Sequence, residues 1–139
     1  MAVTAKPIFI QAVNVGLATI VPADTTAAKT IFTAGANGSR VSAITVHSTD
    51  TALRDVVLSL VRSATSYPLF TISVPINAGN TNAIGALDLL RSPLLPGLPY
   101  DAFGNRYIDL KSGDTLTINT TTTVTAAKQI TAAALGGDL

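Results

Sequence analysis

The sequence predicts an all-β fold, an antiparallel sandwich or barrel of about eight strands, and three observations carry that prediction. In Leu69 to Ile76, Phe70, Ile72, Val74 and Ile76 alternate with Thr71, Ser73 and Pro75, the period of two of a half-buried antiparallel strand. Turn signals made of Gly, Asn, Asp and Pro recur about every 8 to 12 residues, the spacing of short strands in a sandwich. The acidic residues are all Asp, with no Glu, while Thr and Ala are abundant and Lys is scarce. That balance disfavours long solvated helices and favours strands faced with Thr.

Taken in order, residues 1–10 read as an extended arm, small and polar from Ala2 to Lys6 and apolar at Ile8, Phe9 and Ile10 after Pro7. A strand follows through Val13, Val15 and Leu17, closed by Pro22 and Asp24. Lys29 to Thr33 is a β-branched and aromatic run ending at Gly35, Asn37 and Gly38, residues that tolerate positive φ. Arg40 to Ser48 comes next, with Ile44 and Val46 on one face, and the two runs read as a hairpin. Arg54 to Arg62 is bracketed by charges and apolar on nearly both faces, as a well-buried strand would be. Pro75 cannot donate to a ladder, so the strand before it belongs at a sheet edge or stops there.

Ile84, Leu87 and Leu90 stand three apart, compatible with a short helical turn or an irregular strand. Pro93, Pro96 and Pro99 stiffen the backbone around Leu94, Leu95 and Leu98. Asp101, Gly104 and Asn105 form a turn before a short strand at Tyr107 to Leu110. Thr115 to Asn119 follows with Leu116 and Ile118 inward, then a polar β-prone run from Asn119 to Thr125. A small-residue strand from Gln129 to Leu135 ends at Gly136, Gly137 and Asp138.

The 139 residues suit one domain, 1–139, with a single core. Charged residues make up 12% of the chain, about half the ~25% of an ordinary soluble domain. The surface must then be covered largely by Thr, Ser, Asn, Gly and Ala, which suits contact with other protein. The net charge is +1 and the nine basic residues are scattered from Lys6 to Lys128, so no basic stripe is available to neutralise phosphates. Met1 to Val21 has no basic head followed by an unbroken apolar block, so it reads neither as a signal peptide nor as long enough to span a bilayer. No nucleic-acid or membrane partner is expected.

Catalytic chemistry has little to work with. There is no Cys, hence no disulfide, thiolate metal site or Cys nucleophile. His47 is the only histidine, and its neighbours Ser48 and Asp50 are the nearest candidates for a triad. Adjacent strand residues point to opposite faces, which keeps His47 from Ser48. The Asp residues fall in no calcium-loop pattern, and Asp88, Asp101, Asp109 and Asp114 stand where Asp serves turns. The reading is a protein that is not an enzyme and has no metal or cofactor. The residues that stand out for function are the apolar ones near the arm and the prolines: Ile8, Phe9, Leu94, Leu95, Leu98 and Tyr100. They either cap the core or form an exposed partner surface.

The motifs GANGSRV at Gly35 to Val41, PLLPGLP at Pro93 to Pro99, the Gly104-Asn105 turn, GDTL at Gly113 to Leu116 and the Gly136 to Asp138 ending resemble those of small tailed-bacteriophage virion proteins. The similarity spans most of residues 35–139. The resemblance implies a jelly-roll-like sandwich acting as a capsid cement or decoration protein, assembled in the host cytoplasm and carried on the virion's capsid exterior. Its implied partner is an expanded shell of HK97-type major capsid protein, which it binds as a dimer or trimer. Alternatives are a phage tail or neck component and a carbohydrate-binding sandwich. For the last, the absence of Trp and the presence of only three Tyr and four Phe leave few aromatic platforms.

Overall fold

The computed structural model describes residues 9–139; Ile8 and the arm before it lie outside the described residues. The fold is all-β, a jelly-roll-like sandwich of two antiparallel sheets with nine strands among the described residues. The strands are β1 (Ala12–Ile20), β2 (Lys29–Thr33), β3 (Ser39–Ser48), β4 (Arg54–Arg62), β5 (Thr65–Val74), β6 (Leu87–Asp88), β7 (Ile108–Leu110), β8 (Thr115–Thr120) and β9 (Ile130–Asp138). One sheet runs β1-β9-β3-β6 with β7 also on β3, and the other runs β2-β8-β4-β5. Most connections therefore cross between sheets. The β4–β5 hairpin is one that does not, turning through Ser63 and Ala64, both at positive φ.

The core lies between the sheets. Ile20, Val41, Ile44, Val46 and Ile130 reach in from one side and meet Phe32, Val56, Leu58, Leu116 and Ile118 from the other. A bulge in β2 lets the adjacent Ile31 and Phe32 both face inward, which strict alternation would forbid.

Several expectations are corrected. β2 and β3 do not form a hairpin: β2 pairs with β8 and β3 with β9. The Gly35–Gly38 turn carries the chain from one sheet to the other, so that Phe32 and Ile44 enter the core from opposite sheets instead of sharing one sheet face. The polar run after Asn119 leaves the ladder at Thr120, because Thr122 and Thr125 turn their hydroxyls to Arg54 and Asp50. β9 does not stop at Gly136 but runs through to Asp138. A Cβ at Gly136 would lie 2.3 Å from the Arg40 carbonyl oxygen, so glycine permits the pairing beside the β3 bulge. Around Leu87 to Arg91 both readings hold in sequence, a two-residue strand and then a 3-10 turn whose start Asp88 caps.

Two polar junctions hold the corners. Asp50, in the β3–β4 crossover, is fully buried. It accepts from Arg54 Nε at 2.7 Å, from the Thr125 hydroxyl at 2.7 Å and from the Ala52 and Thr125 amides. Burial pushes this carboxyl up, but the Thr125, Arg54 and backbone donors together outweigh it and hold the group well below the usual carboxylate range. At the opposite end Asp138 accepts from the Ser39 hydroxyl and from Asn14 Nδ2, and both bonds lower its pKa. Asp114 is lowered chiefly by its two-pronged pairing with Arg62.

The edges β1 and β2 close against each other. A Cβ at Gly16 would fall 1.7 Å from the Ile31 carbonyl oxygen, so only glycine allows this approach. Asn14 and Lys29 then bridge the seam by donating to the Thr33 and Thr19 carbonyls.

Replacing Asp50 with Ala leaves Arg54 without its carboxylate in a largely buried site and is expected to cost about 3 to 5 kcal/mol in urea unfolding. Because Asp50, Asp114 and Asp138 have folded-state pKa values below the unfolded value of 3.8, their stabilisation is complete at neutral pH and is lost as pH falls. The urea midpoint should stay level from pH 7 to about 5 and drop below about 4.

Candidate protein-binding surface

The segment between β6 and β7 is anchored at both ends on β3, at Thr45 and Val46 through β6 and at Ser39 to Val41 through β7. Leu89 and Leu90 of the 3-10 turn are buried and root it in the core. Ser92 takes the Leu94 amide on its hydroxyl and the Leu95 amide on its carbonyl, which sets the first proline bend. Arg106 then ties the segment together. Its guanidinium donates to the carbonyls of Leu90 and Ser92 at 3.2 and 2.8 Å, and it stacks over the Tyr100 ring at 5.7 Å.

Tyr100 and Arg106 bridge as the base of a tight finger, in which the Asp101 carboxylate accepts the Phe103 and Asn105 amides at 2.9 Å each. The Asn105 amide is the main reason this carboxyl sits below its ordinary value. Gly104 takes the positive φ of the turn. Beside the finger, Arg40 stacks on Tyr107 at 3.8 Å while its guanidinium grips Asp109 through both oxygens.

The apolar candidates divide. Leu95 is 7% exposed and belongs to the core, while Leu98 packs against the core half-buried. The bend at the prolines sends the adjacent Leu94 and Leu95 in opposite directions, leaving Leu94 at 60% exposure, and Tyr100 stands at 63%. Phe9 is exposed as well, and Ile8 lies outside the described residues. The reading missed Phe103, which sits at the tip of the finger with 90% of its surface in solvent. Its signal was present in the sequence: an aromatic inside the Asp101 to Asn105 turn has no neighbours to bury it. Between finger and bend lies an open cavity of about 360 Å³, lined by Arg91, Pro93, Tyr100, Gly104, Asn105 and Arg106.

The residues considered for catalysis are not assembled. His47 faces outward from β3 and is half-buried, whereas Ser48 faces inward and its hydroxyl accepts the Asp50 amide. No group of three His, Cys, Asp or Glu residues suited to a metal occurs among the described residues. No helix among them is long and apolar enough to cross a membrane. No known protein-family model matches the chain, and no curated protein matches it in sequence.

The division of the leucines is measurable by urea unfolding. Leu95→Ala should lower stability by about 2 to 4 kcal/mol, and Leu94→Ala should stay within about 0.5 kcal/mol of the parent.

Proposed function

We propose that this protein is a virion structural protein, a cement or decoration protein that binds the outside of an expanded bacteriophage capsid and stabilises it. The observation that carries the reading is the finger and proline bend, where Leu94, Tyr100 and Phe103 stand exposed on a backbone held by Arg106 and Asp101. Exposed apolar side chains on a stiff support are what a protein-binding surface needs, since little ordering remains to oppose association. The phage-like turn motifs, PLLPGLP among them, supply the class of partner: HK97-type major capsid protein. Many copies on a repeating lattice make weak individual contacts sufficient, because neighbouring attachments raise the effective concentration of each.

One observation favours a second reading. The cavity beside Tyr100 combines an aromatic face with Asn105 and two arginines, a combination that also suits a sugar ring.

The test is co-sedimentation of the purified protein with expanded capsids that lack it. Saturation at a fixed ratio to the capsid protein, with a loss of at least about 10-fold in affinity for Phe103→Asp and Leu94→Asp, is the expected result. Protein left at the top of the gradient overturns the cement reading. Rings in the free protein would then direct attention to a tail or neck role, and glycan binding abolished by Tyr100→Ala to a sugar-binding one.

A further inference from the structure

β1 presents an unusual face to solvent. In an ordinary half-buried edge strand the apolar residues turn inward, yet here Asn14, Gly16, Ala18 and Ile20 point into the sandwich while Val13, Val15 and Leu17 point out. Val13 is 83% and Leu17 70% exposed. The inversion follows from Gly16: its missing side chain is what lets β1 lie on Ile31, so the face that contains Gly16 must be the inner one.

Across the ladder from Val15 stands Leu135 of β9, also exposed, with the small Ala133 opposite Leu17. At the near end Ile10 folds over Gly137, where a Cβ would lie 2.2 Å from its Cγ2, and so extends the same apolar strip. No Asp, Lys or Arg stands at an outward position of β1 or β9.

We infer that this outer face of β1 and β9 is a homotypic interface, on which a second copy of the chain packs face to face. Three features select that occupant. An uncharged face meets itself across a two-fold axis without setting like charges together, whereas it offers a charged partner nothing to pair with. The exposed strip of Ile10, Val13, Val15, Leu17 and Leu135 amounts to several hundred Å² of apolar surface, a large part of the roughly 800 Å² per partner that a standard stable interface buries. Strand addition is closed off, because the free edge of β1 is already covered by β2 through Asn14, Gly16 and Lys29. What remains is sheet against sheet, the packing that two apolar sheet faces adopt at a spacing of about 10 Å.

This face is separate from the finger. The segment bearing Phe103 is anchored on β3, with β9 between β3 and β1. Self-association and capsid binding can therefore be measured independently, and the inference does not depend on what the finger binds.

The experiment is sedimentation equilibrium of the full chain alone, with Val15→Asp, Leu17→Asp and, as a control, Phe103→Ala. The expected result is a dimer for the parent and the control, and a dimer weakened at least about 100-fold in each Asp variant. Both substitutions lie on exposed positions, so circular dichroism should show the β-sheet spectrum unchanged. Should a variant fail to fold, a single Val15→Cys in this Cys-free chain gives a second reading, since a spin label there reports a short pairwise distance only if two copies meet on this face. A parent that is monomeric at tens of micromolar overturns the inference, as does a dimer indifferent to both Asp variants or labels at Val15→Cys that show no pairwise distance. Monomers that begin to pair when residues 1–8 are removed would identify the chain's own arm as the occupant instead.

Discussion

The buried carboxylate of Asp50 is the point on which the two sheets are fixed relative to each other. It lies between the end of β3 in one sheet and the start of β4 in the other, and it also holds the β8–β9 loop through Thr125. A buried charge would be costly alone. Here Arg54, one hydroxyl and two amides share it, and the Arg54 guanidinium donates in turn to the Thr122 and Thr125 hydroxyls. With no disulfide in the chain, this cluster does at the crossover what a covalent link would do in a secreted domain of similar size.

The same economy governs the rest of the charge. Several Asp residues are engaged at turns or strand ends: Asp88 caps a 3-10 turn, Asp101 builds the finger, Asp114 grips Arg62, and Asp138 joins the β9 end to the turn before β3. A chain with few charges has spent many of them on geometry, which leaves the sheet faces to Thr, Ala and exposed aliphatic side chains. Such a surface is poor at repelling neighbours and well suited to contact with them. The finger and the outer face of β1 both carry exposed large apolar side chains, and they lie on different sides of β3 in the strand order.

Much of this was legible in the residues. Phe70, Ile72 and Val74 announced β5, Leu116 and Ile118 announced β8, and Pro75 stands just past the end of an edge strand. Turn chemistry located the Asp101 and Gly104 finger. What failed were inferences about pairing partners. The run of Lys29 to Thr33 and that of Arg40 to Ser48 have the composition of a hairpin, but a strand's own pattern says nothing of which sheet its neighbour joins. The Thr-rich run after Asn119 has β propensity and is not a strand, because hydrogen bonds to a buried Arg54–Asp50 pair outweigh a preference worth less than ~1 kcal/mol per residue.

The sequence by itself determined that the chain is all-β, where most strands lie, and which residue types close its turns, since these depend on local sterics and on a period of two. Only the tertiary structure decided which side meets the core where a strand is apolar on both faces. Alternation defines two faces and does not rank them when both carry apolar residues, as in β1 with Val13, Val15 and Leu17 on one side and Ala18 and Ile20 on the other. The ranking came from a distant contact, the approach of Gly16 to Ile31, and from the proline bends that send Leu95 into the core and Leu94 out. Both are close-packing constraints between segments far apart in the chain or turned by its bends, and local pattern carries no record of them.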